Sequence, residues 1–74
     1  MKVSEVSQDL IGSRVAHIDD LEQEGTITDV VIVKSYKPLS FQKRKPFTMV
    51  KVAWDEGVHQ YRFIDNAVQN LILI

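Results

Sequence analysis

Ten Val and seven Ile in 74 residues, against three Ala and five Leu, constrain the fold of this chain more than any other feature. β-Branched side chains lose χ1 freedom in a helix but pack well on a pleated sheet, so this ratio points to strands. The length is about half that of a typical domain, which leaves one small domain over residues 1–74 and excludes a two-domain enzyme. So short a domain buries only about 60% of its unfolded surface. There is no cysteine, hence no disulfide and no Cys-based zinc site, and packing of the 45% hydrophobic residues has to hold the fold.

The order of apolar residues divides the chain into short elements. Val3, Val6, Leu10 and Ile11 have roughly helical spacing, which allows a short N-terminal turn or helix in an extension of residues 1–12 that Gly12 ends. Arg14 to Ile18 alternates around Val15, and Asp19-Asp20 opens a polar loop that carries Leu21 to Gly25. Thr26 to Val33 reads as a long strand, with Ile27, Val31 and Val33 on one face and Val30 and Ile32 on the other. Phe47 to Trp54 alternates clearly, with Val50, Val52 and Trp54 on the core face. Asp55-Glu56-Gly57 is a turn, and Val58 to Phe63 returns with His59, Tyr61 and Phe63 on one face. Ile64 to Val68 suits a single 3₁₀ turn, and Asn70 to Ile74 closes the chain as a last strand. Five short strands with one such turn before the last predict an all-β, small closed barrel centred on Val15, Ile27, Val50, Val52 and Trp54.

The formal charge of −1 is a cancellation. Residues 1–33 carry Lys2 and Arg14 against seven acids, residues 34–51 carry six cations and no acid, and residues 52–74 carry Arg62 against three acids. The cations of 34–51 either balance acids elsewhere in the fold or form a docking surface. Their centre is 34–46, KSYKPLSFQKRKP, in which two prolines, two aromatics and five cations follow no period. That segment is too long for a tight hairpin, and loops of this length in compact domains are often functional or disordered.

Several of these residues carry a resemblance. Gly12-Ser-Arg-Val-Ala-His17, then Gly25-Thr-Ile27, then Val50-Lys-Val-Ala-Trp-Asp55 with Gly57 resemble a Tudor/KOW-type SH3-like barrel. The run is also similar to the small C-terminal domain of superfamily 1 DNA-repair helicases. Tyr61-Arg62 fits the last element of the Mind-bomb/HERC-type modules. The resemblance covers residues 12–74 and implies a five-stranded SH3-like (Tudor-like) barrel with a short 3₁₀ turn before the last strand. Its motifs are mostly turn glycines and core valines, and the length and basicity of 34–46 depart from the family pattern. Tudor domains that read methylated side chains use an aromatic cage at the barrel mouth, where the resemblance places Tyr36, Phe41 and Tyr61 only loosely.

Catalytic signatures are missing from the sequence. There is no Cys nucleophile and no G-x-S-x-G, Walker-type or H-E-x-x-H run. His17 and His59 fall in different strands with no third ligand at a recognisable spacing, so they read as ordinary strand histidines and not as metal ligands. Asp19-Asp20 and Asp55-Glu56 are explained by turn chemistry. The expectation is a protein that is not an enzyme and holds neither metal nor cofactor.

Aromatics interleaved with cations can stack on bases while the charges meet phosphates, and the same mixture suits a protein interface. Alternatively, Tyr36 and Phe41 fold back to cover the barrel. The candidate binding residues are Lys34, Tyr36, Lys37, Phe41, Lys43, Arg44 and Lys45, with Lys51 beside them. The preferred expectation is a small adaptor or regulator that docks on a protein partner in nucleic-acid-handling machinery. The alternative is a direct DNA- or RNA-binding module using loop 34–46. The acidic first third would repel nucleic acid, and five loop cations give only modest affinity at physiological salt. A homo-oligomer, with the acidic face of one copy against the basic loop of another, is a third option.

No membrane association is expected, because Val30 to Val33 and Leu71 to Ile74 fall far short of the roughly 20 residues that span a bilayer. MKVSEVSQDL lacks a signal-peptide core, so a soluble cytoplasmic protein is expected. With Met at its start and strand residues at its end, the chain reads as a complete, stand-alone accessory factor.

Overall fold

The computed structural model describes residues 1–34, 46–57 and 59–74. Its strands are β1 (Arg14–His17), β2 (Asp20–Val33), β3 (Phe47–Trp54), β4 (Gln60–Ile64) and β5 (Leu71–Leu73). They form one antiparallel sheet in the order β4-β3-β2-β1-β5. Three 3₁₀ turns complete the described chain, at Val3–Glu5, Gln8–Leu10 and Asp65–Asn70. An all-β chain with a 3₁₀ turn before its last strand is therefore what the β-branched composition produces. The hydrogen-bonded ladder is open, however: β4 and β5 lie at its two ends and do not pair with each other.

Packing on one side of this sheet makes the core. Val15, Ile27, Val50, Val52, Val68 and Leu71 have no exposed surface, and Val6, Val30 and Trp54 join them. Each fully buried aliphatic side chain of this size contributes about 1.5–3 kcal/mol over its exposed state. The N-terminal residues belong to this core: Val6 is buried, and Met1, Val3 and Leu10 pack against the cluster. The Met1 ammonium also donates to the Leu71 carbonyl, which covers part of the outer edge of β5.

Two expectations are corrected by register. The polar loop expected over Leu21 to Gly25 is the first part of β2, which pairs with β1 through Val15↔Gly25 and Ala16↔Glu24. Between Ala16/His17 the register shifts, because His17 pairs with Asp20 and leaves Leu21, Glu22 and Gln23 bulged off β1. Leu21 and Glu22 are exposed and Gln23 half-buried, and a strand that packs no face on the core does not alternate. The second correction concerns the faces of β2. Ile27 and Val30 point to the core, and Val31 and Val33 do not share that face. A bulge at Thr28 separates Ile27↔Val52 from Asp29↔Lys51, and one extra residue moves every later side chain to the other face.

The remaining elements follow the expected boundaries within two or three residues. Gly57 adopts φ +123 after β3 and Gly12 φ +94 before β1, both in the region that disfavours a Cβ. His59 precedes β4 and is exposed, so it does not join Tyr61 and Phe63 on their strand.

Candidate functional site

Four elements meet at the end of the sheet where β1 turns into β2. His17 comes from the last position of β1, Gln23 from the bulge of β2, Trp54 from the end of β3, and Tyr61 and Phe63 from β4. Their side chains line an open cleft of about 340 Å³. The register explains the convergence: Val52↔Tyr61 and Val50↔Phe63 put both β4 rings on the core face, and Gly25↔Trp54 puts the indole against a residue without a side chain.

Three of the rings pack on one another. His17 lies 6.4 Å from Trp54 and 6.1 Å from Phe63, both tilted, and Trp54 meets Phe63 edge-on at 6.1 Å and 79°. Tilted and edge-to-face pairs of this spacing place positive ring edges on negative faces. Trp54 is 7% exposed and is a wall of the cleft, whereas Tyr61 is 53% exposed and stands at its rim. The backbone N–H of Asp19 donates to His17 Nδ1 at 3.1 Å, which fixes the ring at the cleft wall.

Gln23 connects this cleft to two acidic depressions. One, of about 100 Å³, is lined by Glu22, Gln23, Glu24, Asp55 and Glu56. The other, of about 250 Å³, is lined by Asp20, Glu22, Gln23 and Glu56. Arg14 neutralises part of this end. Its Nη1 donates to Asp55 Oδ1 at 2.8 Å and to Thr26 Oγ1 at 2.9 Å, its Nη2 donates to Asp55 Oδ2, and Glu24 lies 4.0 Å away. The hydrogen bond from Arg14 holds the Asp55 carboxyl below the usual carboxylate range, with a further contribution from the positive charge. The same pairing raises the Arg14 guanidinium. Among the described residues no cation comes within ion-pair distance of Asp20, Glu22 or Glu56. Among the described residues, the aromatic cleft therefore opens onto carboxylates that no cation pairs.

Of the residues expected to bind, Lys34 and Lys51 are described, and the fold does not bring them together. Lys34 is exposed beyond the Val33↔Phe47 pair, whereas Lys51 is half-buried between Asp29 and Arg62, roughly 15 Å further along the sheet. Tyr36, Lys37, Phe41, Lys43, Arg44 and Lys45 lie outside the described residues. His17, Gln23, Trp54 and Phe63 escaped the sequence reading as binding residues, because only strand register unites them. The alternation of Val50, Val52 and Trp54 was the one available signal, and it marked Trp54 as core. Among the described residues no three His, Asp or Glu side chains cluster so as to hold a metal ion, and no buried side-chain nitrogen or oxygen lacks a partner. Among the described residues no helix is long and apolar enough to cross a membrane.

Comparison with protein-family models, with curated proteins and with solved structures finds no match.

Proposed function

We propose that this chain is a non-enzymatic interaction module, an SH3-like barrel that docks on a protein partner in nucleic-acid-handling machinery. The fold reading is supported by the strand order β4-β3-β2-β1-β5 and by the 3₁₀ turn that feeds β5 back onto β1. The observation that carries the docking reading is the cleft of His17, Trp54, Tyr61 and Phe63 continuing past Gln23 into depressions lined by Asp20, Glu22 and Glu56. Ring faces attract a cation, carboxylates beside them add to that attraction, and a cleft open along one side admits a side chain of a larger molecule. Its ligand is a basic segment of another protein. A nucleic acid would bring phosphates to the same carboxylates and be repelled.

Trp54 is the only tryptophan and forms one wall of the cleft, so its emission reports occupancy directly. Titration with a synthetic Arg-rich peptide shifts Trp54 emission saturably, an acidic peptide of equal length does not, and Tyr61→Ala weakens the response at least tenfold. Single-stranded DNA and RNA leave the emission unchanged. The reading fails if no basic peptide perturbs Trp54. It is replaced by direct nucleic-acid binding if DNA or RNA binds with a steep salt slope that K43E, R44E and K45E remove.

A further inference from the structure

The two edges of the sheet are not equivalent. In antiparallel strands the N–H and C=O of successive residues point alternately to the two neighbouring strands. Ile27 bonds the segment before β1 through both its N–H and its C=O, whereas the Glu24 carbonyl accepts from Asp55 on the β3 side. The phase continues into β3: the Lys51 carbonyl points to β2, where it accepts from the Thr28 hydroxyl, and the Thr48 N–H donates to the Asp65 carboxylate beside β4. Odd residues of β3 therefore face β2 and even ones face β4. Val50↔Phe63 and Val52↔Tyr61 are then the bonded pairs, so Tyr61 and Phe63 spend their backbone groups on β3. Gln60, Arg62 and Ile64 turn theirs outward, and no described hydrogen bond outside the sheet takes them up. The opposite edge differs. There the Leu71 N–H bonds Val68 and the Leu71 carbonyl is taken by Met1, in a strand only three residues long.

Open edges are normally blunted by bulges, prolines or repeated charges, and β4 (QYRFI) has one Arg and neither of the other devices. Each face of β4 also meets a different surface. On the core side Tyr61 and Phe63 lead into the aromatic cleft, which Gln23 joins to the carboxylate-lined depressions. On the other side Val31, Met49 and Ile64 lie directly across β2, β3 and β4, and Ile64 is 49% exposed at the edge.

We infer that β4 receives an antiparallel strand from the partner protein, an extended segment whose side chains alternate between cationic, toward the cleft, and apolar, toward Ile64 and Met49. Main-chain bonds to Gln60, Arg62 and Ile64 supply affinity that is indifferent to sequence, and the two faces supply the selection. Cross-strand partners share a face, so the apolar residues of the incoming strand stand opposite Gln60, Arg62 and Ile64. Their N–H groups are the ones that bond β4, and those of the cationic residues point away. This inference rests on the docking reading above.

The test uses an acetylated, amidated peptide of alternating Arg and Val, its block isomer with all Arg preceding all Val, and two N-methylated forms. Trp54 emission reads affinity, and amide hydrogen exchange of the whole chain reads the edge. The alternating peptide binds at least tenfold tighter than its block isomer and slows exchange at Arg62 and Ile64. Methylation of the Val nitrogens weakens binding at least tenfold, whereas methylation of the Arg nitrogens changes it less than threefold. Arg62→Pro, at a position whose N–H faces solvent in the free protein, loses the preference for the alternating peptide that Arg62→Ala retains. If Arg62→Pro does not fold, the methylated peptides decide alone. Equal binding of the two isomers, or equal effects of the two methylations, overturns strand addition and leaves the docking reading standing. Silence of Trp54 toward every peptide overturns both.

Discussion

Gly25 is where the fold and the cleft are most tightly coupled. It is buried in β2, pairs with Val15 on one side and Trp54 on the other, and has no unusual backbone angle, so its lack of a side chain matters only for space. A Cβ built there would stand 2.7 Å from Val52 Cγ1, 2.8 Å from Trp54 Cε3 and 2.9 Å from the Ala53 carbonyl oxygen. Carbon atoms in good contact sit at about 3.5–4.0 Å, so each neighbour must retreat by nearly 1 Å. All three belong to β3, whose hydrogen bonds to β2 fix their distance. Either the two strands part locally or both side chains leave their rotamers. Overpacking of this kind costs about 1–3 kcal/mol, and a backbone atom among the three contacts puts Gly25→Ala in the upper half of that range. At about 4–8 °C per kcal/mol for a domain of this size, the melting temperature falls by about 8–24 °C. Urea and thermal unfolding, followed by circular dichroism and Trp54 emission, measure the loss. Val52→Ala removes one of the three clashing atoms, so Gly25→Ala and Val52→Ala together cost less than their sum, by at least about 0.5 kcal/mol. A melting temperature within about 2 °C of the parent, or strict additivity, would refute the packing argument.

Two further substitutions test local chemistry. Asp55 titrates below the ordinary carboxylate range because Arg14 bonds it, so the pair's stabilisation is fully present above about pH 4, the unfolded value, and disappears as pH falls through the depressed folded one. Asp55→Asn therefore flattens the acid limb of the urea midpoint against pH and lowers the neutral midpoint by the same amount, a small one because both groups are exposed and salt screens them. An acid limb that superimposes on the parent's would contradict this. Asp65 has φ +49 and accepts the Thr48 N–H at 2.9 Å at the end of β4. Asn tolerates that conformation and keeps an acceptor, so Asp65→Asn stays within about 0.5 kcal/mol of the parent, whereas Asp65→Ala costs about 1–2 kcal/mol. Matching urea midpoints for the two variants would show that neither the bond nor the conformation matters.

Where alternation was regular, the sequence was readable. Phe47 to Trp54 has the expected strand bounds because Val50, Val52 and Trp54 keep strict period two against a half-buried opposite face. The reading of β2 slipped at Thr28 because a bulge leaves no mark on composition. Thr28 has no special chemistry, and the surrounding run of Val and Ile supplies an apolar residue whichever phase is chosen. The cleft was hidden for a related reason. His17, Gln23, Trp54 and Phe63 are spread over 47 residues, and each has an ordinary local explanation. Only the pairs Gly25↔Trp54 and Val50↔Phe63, which are tertiary information, bring them face to face. Residues 34–46 stand out in the sequence instead, because charge and aromatics are adjacent there and need no fold to be noticed.

The same register separates the two ways in which this chain could meet a partner. β2 carries Glu22 and Glu24 beside the cleft near its start and delivers Lys34 just past its end. Ten residues of strand separate Glu24 from Lys34, roughly 30 Å of chain, against a screening length of about 8 Å at physiological salt. Charges at one end of β2 are thus invisible at the other, and the net charge of −1 describes neither end. Arg14 is spent on Asp55, so among the described residues Asp20, Glu22 and Glu56 set the field at the cleft. Peptide docking at Tyr61 and phosphate contact at Lys34 would consequently respond to different substitutions. Loss of one with retention of the other identifies which surface a partner uses.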